Sequence, residues 1–249
     1  MHRLMADTAA LALERPTLSR EAAAHLRVLR PKEGEEIELF DGFGSSRVYR
    51  WSCADCALAA AVGALVRRPR PAPLVLFACV TKGSRWDWTI EKATELGATR
   101  IVPVMSERTI VRLPPGERAA KRERWVRIAE DAARQSDAAW LPEILEAVDF
   151  SESLAMVAET DCYAGALTDP PPEPLLAALA RRDAASGRPL ALYVGPEGDF
   201  TPGELAALLK VATPAGFGSN ILRAETAAIF ALSVLAASQH AASARLHTA

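Results

Sequence analysis

Histidine and cysteine are scarce, with four of each in 249 residues. No histidine falls between residues 26 and 239, so a histidine base is not expected in the larger part of the chain. Only Cys53-Ala54-Asp55-Cys56 has metal-like spacing. Neither a second pair nor a His-x-x-x-His follows it, and a structural zinc needs four ligands. No metal and no structural disulfide are expected. The longest apolar stretches, 72–80 and 226–237, fall short of the ~20 residues of a membrane span. Met1-His2-Arg3-Leu4 lacks the apolar core of a secretory signal. These absences exclude a small disulfide scaffold and predict a cytoplasmic protein with no membrane partner.

What is present is ordinary for a globular chain: 50% hydrophobic residues and 24% charged. The length suits two domains. The net charge of −2 hides an asymmetry. Residues 1–143 carry 23 basic and 19 acidic side chains, and residues 144–249 carry 6 and 12. A polyanion would prefer the first part.

Residues 35–40 alternate polar and apolar, Asp41-Gly42 supplies a turn, and residues 46–51 alternate again. Residues 25–30 give another short apolar segment. A small sheet or barrel domain over residues 1–70 is expected. Three prolines within Arg67-Arg68-Pro69-Arg70-Pro71-Ala72-Pro73 break the pattern and read as a linker. From residue 74 to 245 strand and helix alternate. Strands are predicted at 74–80, 101–105 and 190–194, the outer two as continuous apolar runs buried on both faces. Helices are predicted at 84–96 (with Ser84 and Asp87 forming a cap), 117–136, 175–180, 202–210 and 225–238. Thr201-Pro202-Gly203-Glu204 forms a capping box with proline at its first turn. The fold class is α/β: a parallel sheet with helices on both faces, preceded by the small β domain.

Ligands of open α/β sheets bind at the carboxyl ends of strands. Three segments there carry chemistry. After the strand ending at Val194 comes Gly195-Pro196-Glu197-Gly198-Asp199-Phe200, which reads either as a plain strand-to-helix turn or as a loop that meets a flat heterocycle with its backbone. It contains neither a P-loop nor a G-x-G-x-x-G fingerprint. Phe217-Gly218-Ser219-Asn220-Ile221-Leu222-Arg223-Ala224-Glu225-Thr226 opens the terminal helix. Arg223 either pairs with Glu225 or faces an anion. Thr81-Lys82-Gly83-Ser84-Arg85 and Ser106-Glu107-Arg108-Thr109 place basic side chains at two more strand ends, as solvated loop charge or as phosphate contacts.

Taken in order, Lys82…Glu91-Lys92-Ala93-Thr94-Glu95-Leu96-Gly97, Pro103…Ser106-Glu107-Arg108, Gln135-Ser136…Pro142-Glu143-Ile144, Gly195-Pro196-Glu197-Gly198 and Ile221-Leu222-Arg223-Ala224-Glu225-Thr226-Ala227 resemble the RsmE family. Those are 16S rRNA (uracil-N3)-methyltransferases of the SPOUT class. His25…Val28-Leu29-Arg30…Leu39-Phe40-Asp41-Gly42 resembles the family's PUA-like RNA-binding domain. The resemblance implies a trefoil-knotted α/β domain and a homodimer formed through the terminal helix. It implies S-adenosyl-L-methionine held by Val194, Gly195, Pro196, Glu197, Gly198, Gly218, Asn220, Ile221, Leu222, Glu225 and Thr226. It implies 16S rRNA or the small ribosomal subunit as partner, contacted by Arg30, Lys82, Arg85, Arg108 and Arg112. Uracil N3 must lose its proton to attack a methyl group, so a cation that stabilises the anion is needed. Arg223 is the candidate, with Glu95 and Glu197 as candidate bases. Asp137-Ala138, Trp140, Asp199, Asn220 and Ala224 depart from the family pattern, and several of them replace basic residues or glycine. The alternative implied by those losses is a knotted RNA-binding paralogue with altered substrate or lost transfer.

Overall fold

The computed structural model describes residues 1–54, 57–183 and 186–246. Asp55 and Cys56 of the Cys-x-x-Cys segment lie outside them. Two compact units are present: Met1–Pro71 with Glu130–Leu141, and Ala72–Ala129 with Pro142 onward.

The first unit contains β1 (His2–Met5), α1 (Thr8–Leu11), α2 (Arg20–Leu29), β2 (Glu36–Phe40), β3 (Ser45–Ser52), β4 (Ala57–Ala61) and β5 (Val66–Arg67). The sheet runs β1-β2-β3-β4, with β5 also on β3. β1 joins β2 in parallel, and the other pairings are antiparallel. Ile37, Leu39, Tyr49 and Leu58 pack on Leu4, Leu11 and Leu26. The hairpin predicted at 35–51 is present, and Asp41 shapes its turn. The Asp41 carboxylate accepts the amides of Phe43 (2.7 Å) and Ser45 (2.9 Å) and the Thr8 hydroxyl (2.9 Å).

Residues 25–30 are not an extended segment. They form the end of α2, because Ser19 caps Ala22 (3.1 Å) and the i, i+4 pair Ala22 and Leu26 buries one helical face. The predicted linker also starts later than residue 67. Val66 and Arg67 pair with Ser46 and Ser45 as a short edge strand, and the prolines begin only after it.

The second unit contains β6 (Leu74–Cys79), α3 (Ser84–Glu95), β7 (Arg100–Met105), α4 (Pro115–Ser136), β8 (Glu143–Ile144), β9 (Val148–Asp149), α5 (Phe150–Ala158), β10 (Asp161–Gly165), α6 (Leu175–Ala180), β11 (Leu190–Val194), α7 (Pro202–Leu208), β12 (Thr213–Ala215) and α8 (Ala224–Leu246). The last seven residues of α4, about two turns, belong to the first unit. The sheet order is β12-β10-β11-β6-β7-β8, with β9 also on β7, and every pairing is parallel.

Strand alternation assigns the faces. Leu74, Leu76 and Ala78 join Trp86, Ile90, Trp125, Leu232 and Leu235 on one side. Val75, Phe77 and Cys79 join Val104, Phe150, Tyr193, Phe200 and Leu208 on the other. Helices therefore cover both faces, as the apolar runs predicted. Of two capping expectations, one is met and one is not. The N-cap of α3 is Gly83, with no side-chain cap, because the Asp87 carboxylate pairs with Arg124 across to α4. The Thr201–Glu204 capping box of α7 forms as predicted. Cys79 and Cys162 are buried, and burial pushes the Cys79 thiol up to about 12 and raises that of Cys162. Neither is an available nucleophile.

Asp41 carries a pH signature. Burial opposes its charge, but the Ser45 and Phe43 amides and the Thr8 hydroxyl outweigh that and hold its pKa below the ordinary carboxylate value. Its contribution to stability is complete above an unfolded pKa near 3.8 and is lost as pH falls through the lower folded value. Urea unfolding should show Asp41→Asn destabilised at neutral pH. The gap to the parent should narrow once the pH drops below about 4. A gap constant with pH would mean that the charge contributes nothing.

Candidate active site

β12, β10 and β11 are adjacent and parallel, so their carboxyl ends lie side by side. The loops leaving them enclose a cavity of about 620 Å³. Its walls are Gly165–Thr168 with Pro171 and Pro172 after β10, Val194–Glu197 with Asp199 after β11, and residues 215–224 after β12. The lining is mostly apolar side chains, glycine and exposed backbone. Glu197, Asp199 and Arg223 are the charged groups among its described lining residues. Gly165 is required by space: a Cβ there would lie 2.4 Å from the Phe217 ring, which packs against the end of β10.

The β11 loop is held from outside the cavity. Arg108 donates to the carbonyls of Gly198 (3.0 Å) and Phe200 (3.4 Å). Arg112 donates to the Glu107 carbonyl (2.8 Å), and the Glu107 amide donates to Glu204 (2.8 Å). Asp199 sits at φ 57 and accepts the Phe200 amide at 2.7 Å. Arg85 stands between two acids, 3.7 Å from the Glu197 carboxylate and 3.6 Å from that of Glu225. It thereby ties the β11 loop to the first turn of α8. Glu225 is buried, and its second oxygen has no hydrogen-bond partner among the described residues. Glu225 itself does not line the cavity, so this oxygen is a buried, unsatisfied acceptor and not part of the wall.

The predicted residues divide accordingly. Val194, Gly195, Pro196, Glu197, Gly218, Asn220, Ile221, Leu222 and Arg223 line the cavity. Gly198 lies outside it, under the Arg108 side chain, and Glu225 joins it only through Arg85. Thr226 is exposed in the first turn of α8 and does not line it. Arg223 makes no ion pair with Glu225, whose partner is Arg85. Glu95 does not reach the site. It sits in the last turn of α3, paired with Lys92, about 15 Å along the helix axis from Arg85. Arg85, Arg108 and Arg112 have intramolecular partners, so they act first as clamps. Lys82 is exposed without an ion pair among the described residues, and Arg30 closes α2 in the other unit. The β10 loop was missed. Its strand offers only Cys162-Tyr163-Ala164 as an apolar signal, too short to stand out in the sequence.

Fold and site define a class: an α/β protein with a mostly apolar cavity at the ends of three adjacent parallel strands, the place where open α/β sheets receive small ligands. Residues 68–236 match the model of the RNA methyltransferase domain, and the chain belongs to that family. Among curated relatives, the ribosomal RNA small subunit methyltransferase E of Synechocystis sp. is 34% identical over 210 residues, 83% of this chain and 67% of that protein. Its Bacillus subtilis counterpart is 30% identical over 232 residues, 89% and 90% of the two chains. Among solved structures, the Neisseria gonorrhoeae ribosomal RNA small subunit methyltransferase E bound to S-adenosyl methionine superposes with a TM-score of 0.79 at 27% identity. That match covers 96% of this chain and 98% of the other.

The Gly165–Phe217 contact is testable by itself. Gly165→Ala should cost about 1–3 kcal/mol in urea unfolding. Most of that cost should disappear in a Phe217→Ala background, since removing the ring opens the space. Additive costs would mean that the two residues do not share this contact.

Proposed function

We propose that this protein is an S-adenosylmethionine-dependent methyltransferase that methylates N3 of a uridine in 16S rRNA of the small ribosomal subunit, in the cytoplasm. The observation that carries the reading is Arg223, an exposed guanidinium without an ion pair among the described residues, on the rim of a glycine-walled cavity. The names of the curated relatives support the substrate, and the bound ligand of the gonococcal structure supports the cofactor.

The residues present fit that cofactor. Backbone groups and apolar walls suit a flat adenine, and Glu197 supplies a carboxylate for a cationic ligand. S-adenosylmethionine, when bound, supplies an electrophilic methyl group on a positive sulfur. The chain's own task is to hold a uracil whose N3 has lost its proton. Arg223 stabilises that developing anion by charge. Arg85 keeps Glu197 and Glu225 in place, so the cofactor loops are pre-organised rather than assembled during reaction. Of the two carboxylates expected as base, Glu197 alone lines the cavity.

In the same reading the second unit carries the trefoil knot, the first is a PUA-like RNA-binding domain, and two copies pair through α8. Phe230, 45% exposed on α8, supports that pairing, and so do Leu167 and Ile221 near the cavity mouth.

The test is transfer of a labelled methyl group to small subunits lacking the modification, with free 16S rRNA beside them and a nucleoside digest. N3-methyluridine is the expected product. Another methylated nucleoside would overturn the assigned atom. Arg223→Ala should lower turnover by a factor on the order of 10²–10³ with cofactor affinity nearly intact. Unchanged turnover would remove Arg223 from the chemistry.

A further inference from the structure

Phe43 occupies an unusual place in the first unit. It is 70% exposed at the tip of the β2–β3 turn, yet nothing about its backbone is loose. The Asp41 carboxylate holds the Phe43 amide. Phe43 also forms an isolated antiparallel bridge with Trp140, flanked by Gly44 N–H to the Ala139 carbonyl and Leu141 N–H to the Gly42 carbonyl, both 2.9 Å. The Trp140 indole lies directly over Gly44, where φ is 94 and a Cβ would stand 2.6 Å from the ring. Only glycine permits this approach.

Arginines from the following segment complete the patch. The Trp140 indole N–H donates to the Arg68 carbonyl (3.2 Å), and the Arg68 amide donates to the Gly44 carbonyl (2.8 Å). The Arg70 guanidinium sits 5.9 Å from the Trp140 ring centroid. Charge is not balanced here. Arg3 is matched by Glu38, and Arg68 by Asp137. Arg67 and Arg70 are exposed and have no carboxylate partner among the described residues.

We infer that this patch is a platform for single-stranded RNA, with a base stacked on Phe43 and phosphates on Arg67 and Arg70. The inference rests on the RNA substrate proposed above. An exposed ring fixed by its backbone offers a π-face at little conformational cost, and every base offers one in return. Unpaired arginines beside it supply the sequence-independent attraction to the phosphodiester chain. A duplex keeps its base faces stacked, so a single strand, loop or end is the form that fits.

The test uses the full chain and fluorescein-labelled RNA, single-stranded and duplex, titrated at several salt concentrations by anisotropy. Phe43→Ala should weaken single-strand binding on the order of ten-fold and leave the salt slope unchanged. Phe43→Leu should lose as much and Phe43→Trp should restore it, which separates stacking from mere apolar contact. Removing both Arg67 and Arg70 side chains with alanine should weaken binding and flatten the salt slope by about 1.4, the release expected from two single-strand phosphates. Thermal midpoints and cofactor affinity should not move, because none of these side chains supports the core or lines the cavity.

Single-strand affinity unaffected by Phe43→Ala would overturn the platform, whether or not methyl transfer occurs. A defect seen only on assembled subunits, with free-strand binding intact, would assign this face to a ribosomal protein and overturn it equally. Absence of methyl transfer by the parent chain, with a Phe43-dependent single-strand affinity, would instead overturn the enzymatic reading and leave the platform standing.

Discussion

The parallel pairing of β11 with β10 on one side and β6 on the other is the constraint on which the rest of the structure depends. Tyr193 and Val194 lie opposite Phe77 and Ala78, while Tyr163 and Ala164 lie opposite Leu192 and Tyr193. With the registers set, three neighbouring strands end together and their loops converge. A shift of one residue would turn Leu192 toward the Phe77 side and bring Tyr193 among the leucines, so both cores resist it. The Tyr193 ring stacks on Phe77 at 5.6 Å, and its hydroxyl is satisfied by Ser153 at 2.7 Å. The cavity is thus a consequence of buried packing a layer below it, and its shape does not rely on the loops alone.

Arginine is used here largely as a fastener. Arg108 and Arg112 hold loop carbonyls, Arg85 joins two acids, and Arg3 is buried between Glu38 and the end of α4 with its guanidinium 4.2 Å from the Phe40 ring centroid. A guanidinium carries several donors in a fixed fork, so one side chain satisfies two or three otherwise orphaned acceptors. This explains why basic residues at strand ends are ambiguous in sequence. The same motif serves as a clamp at Arg108 and as a cation without an ion pair among the described residues at Arg223, and partners distant in the chain decide which. The departures at Asp137 and Trp140 acquire a physical meaning too. Asp137 takes a left-handed backbone (φ 58) and faces Arg3 and Arg68, and Trp140 packs on Gly44. Arg68 and Arg70 are arranged around these two residues.

Legibility followed signal length. β11, α6 and the α7 capping box could be placed almost to the residue, because a five-residue apolar run, a short apolar helix and a cap are local patterns. Short strands such as β8, β9 and β12 have two or three residues each and leave no periodicity to detect. Residues 25–30 look extended in isolation and are helical because Ser19, several residues earlier, starts the helix. In the site, the glycine-rich loops were visible because backbone freedom is written in residue type. The wall from Gly165 to Pro172 was not, since its role arises from β10 lying between β11 and β12.

Sequence by itself determined the class of fold, the end of the sheet where the cavity lies, and most of the residues that line it. Alternating burial, capping and glycine placement are properties of neighbouring residues, and they survive without knowledge of the whole. Tertiary structure alone decided which charges are free. Whether Arg85 or Arg223 belongs to the chemistry depends on what stands within a few ångströms after folding, and the acids that Arg85 meets lie more than a hundred residues further along the chain, whereas Glu95 finds Lys92 one helical turn away.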